Sequence, residues 1–388
     1  MIFSNRAKFG LFIVVITLMS VCLLGEIISS YLLRNIEAEQ TNLSNRSSDI
    51  IVIPRHPNNL PTADTTKSNL LLIGNSHTYA LPSLEKGFPL RPDPGATLID
   101  ELAFNIKTQN QQPDGKANYY RLSYPNFLPN EILTRVGHLL YHQHRPKVVV
   151  FGLTWRNIAR DTELRNEISQ IYKDKAFVLS FKQQLKESSI NAAPDILQSI
   201  ENEERKAQFE EEVERTRSYA DKLDEKITER VGNKITLLGH SEELRARIYR
   251  EFNYGVVGKL TGNPDNTPQY DVIESDLDFN LKCLQAMVRL LRSNGASIVF
   301  YFTPERSDLP ALIDSAQQEK VMGDFKQFAE SQGCVVLDAR HVVPNEYWGW
   351  EHNTPDRSHF TEPGHKLLAQ FIVTEAAKKN VWEGLLTP

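Results

Sequence analysis

Short, largely apolar runs recur along the chain from residue 69 onward: Leu70-Leu71-Leu72-Ile73, Tyr119–Leu122, Val148–Leu153, Ser297–Thr303 and Val335–Leu337. A strand with one wet face alternates apolar and polar residues; a strand covered on both faces does not. The five runs therefore predict buried strands of a mainly parallel sheet. Between them the apolar spacing changes to that of a helix. Pro129–Tyr141 carries Ile132, Leu133, Val136, Leu139 and Leu140 on one side, and Asp276–Leu291 carries Leu277, Leu281, Leu284, Val288 and Leu291. Gly295 follows the second as a C-terminal stop. Val321–Ala329 runs up to Gly333, and Thr361–Ala377 closes the series with Leu367, Leu368, Phe371 and Ile372 as its inner stripe. Strands alternating with helices imply an α/β fold, a three-layer α/β/α sandwich around a mainly parallel five-stranded sheet. Ligands of such sheets bind at the carboxyl ends of the strands.

Two stretches break the alternation. Residues from about 160 to 270 hold no comparable strand run, and Ile200–Val231 is dense in Glu, Lys and Arg. Phe209, Val213, Ala220, Leu223, Ile227 and Val231 fall at helical spacing, which predicts an amphipathic helix inside a helical insertion. The plain role for this insertion is packing on the domain; a lid over a site, or an arm for an envelope protein partner, is the alternative. At the other end, Arg6 and Lys8 precede an uncharged run from Phe9 to Leu24 that continues through Ile27, Ile28, Tyr31, Leu32 and Leu33. A helix over Phe9–Leu33 reaches the roughly 20 residues that a membrane span needs, and the basic flank favours a cytoplasmic N-terminus. A cleaved signal peptide is the competing reading. Both place the rest of the chain outside the cytoplasm, in a periplasmic or extracellular setting. The expected organisation is an anchor at 1–34, a polar linker at 35–68, a catalytic domain at 69–378 and a tail at 379–388.

Composition narrows the classes. A net charge of −5 on 388 residues, with no basic stripe, gives no footprint for nucleic acid. Cys22, Cys283 and Cys334 form neither a disulfide framework nor a thiolate metal motif. His138, His142 and His144 cluster near the end of one predicted helix, but no acidic residue accompanies them locally, and their position suits the helix dipole. Neither a metal nor an organic cofactor is expected.

Candidate chemistry lies at three strand ends. The first strand runs into Gly74-Asn75-Ser76-His77, and a serine just after a buried strand and a glycine can sit at the start of the next helix with its hydroxyl exposed. It can equally be an ordinary helix cap. Near the other end stands Asp356-Arg357-Ser358-His359-Phe360-Thr361-Glu362-Pro363-Gly364-His365. A carboxylate three residues before a histidine can turn back to accept from Nδ1–H, which leaves Nε2 as a base. Thr361, ahead of Glu362 and Pro363, looks like the cap of the last helix. After the central strand comes Thr154-Trp155-Arg156-Asn157, where the Asn157 amide is a candidate oxyanion donor. Trp348 and Trp350 precede Asp356 as a sugar-stacking wall or as plain packing.

In their order along the chain, these blocks resemble the SGNH (GDSL-like) hydrolases, over residues 69 to 378 with the insertion as an addition. The stretch Asp-x-x-His-Phe-Thr-x-x-Gly is the most specific part. Asn75 stands where the family usually has an acid, Trp155-Arg156 stands where a short Gly-x-Asn is typical, and Ser123-Tyr124-Pro125-Asn126-Phe127 lacks the second block's glycine. The resemblance implies a Ser76-His359-Asp356 triad, with the Ser76 N–H and Asn157 holding the oxyanion. It implies ester hydrolysis on O-acyl groups such as acetyl, or O-acetyl transfer to an envelope or exported polysaccharide. The expected partners are an acylated small molecule or polysaccharide and, through the N-terminal helix, the membrane. A non-catalytic tethered scaffold or glycan-binding protein is the reading from a different class.

Overall fold

The computed structural model describes residues 50–53, 60–63, 66–78, 98–110, 117–124, 127–159, 162, 164, 166–188, 193–216, 272–351 and 354–386. The chain divides into two units. One, residues 43–212 and 265–388, holds the fold below; of the other, 1–42 and 213–264, only 213–216 are described, as the end of a helix. The expected membrane anchor lies outside the described residues, among which no helix is long and apolar enough to cross a membrane.

The main sheet has six strands: β1 (Ile50–Val52), β2 (Ser68–Gly74), β3 (Ala117–Ser123), β4 (Val148–Leu153), β5 (Ser297–Phe302) and β6 (Val335–Asp338). Their order is β1-β3-β2-β4-β5-β6, and every pairing is parallel. The expected five-stranded sheet is thus corrected to six. The added strand comes from the predicted linker, where three residues, Ile50, Ile51 and Val52, pair with Tyr119, Tyr120 and Arg121. Ile50-Ile51-Val52-Ile53 is itself a short apolar run, which the expected linker at 35–68 passed over. β2, β3 and β4 are buried from end to end, which is why Leu70–Ile73 and Val148–Leu153 run apolar without alternation; β3 also buries Asn118 and Arg121.

The major helices are α1 (Leu98–Asn110), α2 (Pro129–Tyr141), α3 (Lys175–Glu187), α4 (Ala193–Thr216), α5 (Glu274–Ser293), α6 (Ser315–Ser331) and α7 (Glu362–Ala377). On one face Leu70, Leu72, Val148, Val150, Val299 and Tyr301 pack with residues of α1 and α7. On the other, Leu71, Ile73, Val149, Phe151, Phe300 and Phe302 pack with α2, α5 and α6. Each fully buried Leu, Ile or Val contributes about 1.5–3 kcal/mol. Gly295 and Gly333 take positive φ values of 79° and 73° at the ends of α5 and α6, a backbone region that glycine enters without strain.

α1 had no place among the expected helices, although Leu98, Ile99, Leu102, Ala103 and Ile106 are all buried at helical spacing. α6 begins at Ser315, ahead of the predicted Val321, because Asp314 caps it by accepting from Gln317 N at 3.0 Å. The insertion supplies α3 and α4. Its inner stripe is Ile196, Ile200 and Ala207; the predicted Phe209 and Val213 are 68% and 44% exposed. The described helix starts at Ala193, ahead of the expected Ile200, and turns Phe209 and Val213 outward; the expected Ala220–Val231 lie outside the described residues. The insertion covers the outer side of α2, so polar Asn130, Glu131, Thr134 and Arg135 are buried there. Thr134 Oγ1 meets Tyr172 Oη at 2.7 Å.

Candidate active site

β2 lies between β3 and β4, so the connections after β2 and after β3 leave toward opposite edges of the sheet. In open α/β sheets such a reversal is where ligands bind, at the carboxyl ends of the strands. Ser76 follows β2 at this point and opens a 3₁₀ turn, Ser76–Thr78; the helix that the sequence suggested after it falls on residues 79 onward, outside the described residues. Asn75 builds this turn. Its backbone carbonyl accepts from Thr78 N at 3.0 Å and Thr78 Oγ1 at 2.8 Å. Its side chain donates from Nδ2 to Thr154 Oγ1 at 2.7 Å and accepts at Oδ1 from Phe127 N at 3.0 Å. One amide therefore ties the nucleophile turn to the segments after β3 and β4. The sequence marked Asn75 only as a departure from an acid; its need for a donor and an acceptor at once comes from tertiary packing.

Beneath Ser76, the His77 ring faces Tyr301 across the sheet, with Nε2 3.1 Å from Tyr301 Oη. Room for that pair exists because residue 152 is glycine: a Cβ there would overlap the Tyr301 hydroxyl and press on His77 Nε2. Gly152→Ala is therefore expected to cost about 1–3 kcal/mol by overpacking and to lower activity by displacing the turn that carries Ser76. Urea unfolding and ester hydrolysis measured on the same preparation check both effects.

The base and its carboxylate stand on a second, two-stranded sheet. β7 (Trp348–Glu351) pairs antiparallel with β8 (Thr354–Phe360). Trp348 opposes Phe360 and Trp350 opposes Pro355, so the four residues Asp356–His359 face Gly349 alone. Such a bulge re-aims side chains out of the regular pleat. Here it replaces the short turn that the sequence suggested before the last helix. Within it Asp356 Oδ1 accepts from Ser358 N at 2.8 Å and His359 N at 2.9 Å, which fixes a carboxylate that is only 3% exposed. His359 Nδ1 then lies 2.9 Å from Asp356 Oδ2 and 3.1 Å from Oδ1. Its Nε2 lies 2.9 Å from Ser76 Oγ. With Nδ1 protonated toward the carboxylate, Nε2 accepts from the serine hydroxyl.

Two further histidines surround this relay. Burial, followed by the charges of His365 and His359, holds His77 down at about 3, and burial followed by His359 holds His365 down at about 3. Both stay neutral at ordinary pH, so neither repels an imidazolium forming at His359. Their folded values lie below the ordinary 6.5, so the unfolded chain takes up protons first. Stability is complete above about pH 6.5 and falls as pH drops from there toward 3. The expected loss at pH 5 is on the order of 2 kcal/mol per histidine. Urea midpoints between pH 8 and pH 5 test this, and His365→Leu should flatten the slope.

The remaining expected residues fall as follows. Asn157 belongs to the short helix Trp155–Ile158 directly after β4; its side chain lies outside the described residues. In the second-block stretch, Phe127 N is engaged by Asn75, so that N–H serves the scaffold. Trp348 is buried edge-on against Phe360 with ring centroids 5.3 Å apart, which makes it a packing residue. Thr361 does precede the first residue of α7, but its hydroxyl donates to Tyr347 O at 3.0 Å and leaves the helix N–H groups alone. His138 and His142 meet through Nε2 at 3.1 Å, while His144 Nε2 donates to Pro61 O at 2.9 Å. Among the described residues no three His, Cys, Asp or Glu side chains converge as a metal ligand set.

No protein-family model matches the chain, and no curated protein matches it. Among solved structures, similarity extends to a GDSL-like lipase from Bacteroides thetaiotaomicron at 10% identity and a TM-score of 0.36, over 84% of this chain and 94% of that one. An acetyl xylan esterase variant from Geobacillus stearothermophilus aligns at 12% identity and a TM-score of 0.38, over 79% and 94%. A lipase/acylhydrolase from Enterococcus faecalis aligns at 10% and 0.37, over 80% and 96%. Likenesses this distant leave the functional reading to the geometry of Ser76, His359 and Asp356.

Proposed function

We infer that this chain is a serine ester hydrolase of the SGNH type, acting on O-acyl esters such as acetyl through Ser76, His359 and Asp356. The observation that supports it is the unbroken contact from Ser76 Oγ to His359 Nε2, and from His359 Nδ1 to Asp356, at 2.9 Å each. These groups come from two separate elements 283 residues apart, yet they meet in the geometry that nucleophilic catalysis requires.

In the reaction, His359 Nε2 takes the Ser76 proton as Oγ attacks the ester carbonyl. Asp356, already held by two backbone N–H groups, keeps the Nδ1–H aimed and stabilises the imidazolium. The tetrahedral oxyanion is assigned to the Ser76 N–H and Asn157. His359 then returns its proton to the leaving alkoxide, and the C–O bond breaks to give an acyl-Ser76. Water, deprotonated by His359, attacks the acyl carbon; the bond to Oγ breaks as His359 returns that proton to Ser76, releasing the acid and the free serine.

An extracytoplasmic site, tethered by a helix over Phe9–Leu33, belongs to the same proposal and rests on that apolar run with its basic flank. Hydrolysis of p-nitrophenyl acetate, and of acetylated oligosaccharides with acetate release measured, tests the reading. Turnover by the wild type that is lost in His359→Ala supports it. No turnover of either substrate by well-folded protein would favour a non-catalytic role.

A further inference from the structure

A bulge that sets four residues against one leaves backbone groups without ladder partners. Here the Asp356 carboxylate takes two of the freed N–H groups. Two of the freed carbonyls are taken by an arginine from another part of the chain. Arg306 lies in the loop after β5, and its NH1 group donates to Gly349 O at 3.0 Å and Asp356 O at 3.3 Å. Those two carbonyls belong to opposite strands of the bulge. The rest of the guanidinium is fixed as well: Nε and NH2 donate to Asp308 Oδ1 and Oδ2 at 2.8 and 3.1 Å. The Arg306 side chain is 9% exposed, and its ion pair holds the Asp308 carboxyl below the usual range.

The loop that presents Arg306 is itself anchored on several sides. Glu305 N donates to Arg340 O at 2.9 Å. Glu305 Oε1 accepts from Trp155 Nε1 at 3.0 Å, just beyond β4, and from Gln318 Nε2 in α6 at 2.5 Å. Ser307 N donates to Asn345 Oδ1 at 3.2 Å, and Arg357, inside the bulge, returns a bond from NH1 to Pro310 O at 2.7 Å. The loop therefore spans from the main sheet to the hairpin.

We propose that Arg306 is a positioning residue of the triad: seated across the bulge, it fixes the aim of Asp356 and His359 toward Ser76. The assignment rests on the esterase reading for its catalytic consequence but not for its structural one. The role is geometric. Lysine preserves the charge but cannot hold two carbonyls and both Asp308 oxygens from one planar group, so Arg306→Lys should behave much like Arg306→Ala. Arg340 provides the control. Its guanidinium is engaged by Asp338 at the end of β6 and by Glu319 in α6, and its loss removes ion pairs without emptying the bulge.

The experiment uses the full-length chain in mild detergent, with Arg306→Ala, Arg306→Lys and Arg340→Ala compared with wild type. Two readouts are taken on samples shown to be folded at the assay temperature. The first is kcat and KM for p-nitrophenyl acetate; the second is the low-field proton resonance of the His359 Nδ1–H···Asp356 bond. Arg306→Ala and Arg306→Lys should each lower kcat about 100-fold, the cost of misplacing a reacting group by roughly 1 Å, with KM within about twofold. Both should shift or broaden the resonance, and Arg340→Ala should leave both readouts at wild-type values. Wild-type kcat in Arg306→Ala, or equal losses in all three variants, overturns the proposal. Should the wild type itself fail to hydrolyse the ester, the resonance decides alone. Its change in the Arg306 variants supports the brace while the esterase reading falls; an unchanged resonance overturns the brace.

Discussion

Ser76→Ala is expected to lower kcat on acetyl esters by about 10⁶-fold while leaving the fold intact, the scale on which nucleophile removal acts in serine hydrolases. The side chain is partly exposed at the strand ends, and its hydroxyl is bonded to His359 Nε2, so alanine removes the attacking atom and little packing. The turn around it is held by the carbonyl and side chain of Asn75, which the substitution leaves in place. A thermal midpoint within a few degrees of wild type, together with background hydrolysis only, is the predicted pair of results. Substantial residual turnover would mean that another group carries the reaction.

Asp356→Asn carries the second largest effect, a fall in kcat of about 10⁴-fold. The asparagine can still present an oxygen to Ser358 N and His359 N, so the bulge should persist. What changes is the face toward Nδ1. If the carbonyl stays on the backbone N–H groups, the amide NH2 points at the imidazole and demands a lone pair there. The tautomer reverses, and Nε2 carries a proton where the Ser76 hydroxyl needs an acceptor. The measurement is kcat on the same ester, with the unfolding midpoint as control. A loss explained entirely by unfolding would count against this tautomer argument.

How much of this was legible in the sequence follows from how local each signal is. The strands at Leu70–Ile73 and Val148–Leu153 are unbroken apolar runs because both sheet faces are covered, a condition each run records by itself. The spacing of Asp356 and His359 is local too: a carboxylate that accepts from the N–H groups two and three residues on must lie beside the residue-359 ring. The distance from Ser76 to His359, 283 residues in sequence, could be reached only through the order of blocks. What escaped was set by partners far away. β1 is three residues long and gains its place from β3. The bulge exists only as a mismatch between β7 and β8, and Arg306 carries no motif that points to a carbonyl 50 residues on. Phe209 and Val213 fit a helical stripe, yet helical spacing cannot say which side of the helix faces the core. Asn75 was visible as an oddity, and its bonds to Thr154 and Phe127 supply the physical reason for it.

The central claim is that His359 and Asp356 activate Ser76 as a nucleophile, and covalent labelling by a fluorophosphonate tests it most directly. Full-length protein is treated with the probe, digested and mapped by mass spectrometry, beside Ser76→Ala and His359→Ala. The predicted result is a single adduct on the peptide carrying Ser76, absent from Ser76→Ala and strongly slowed in His359→Ala. An unlabelled but well-folded wild type, or an adduct that persists in Ser76→Ala, would contradict it.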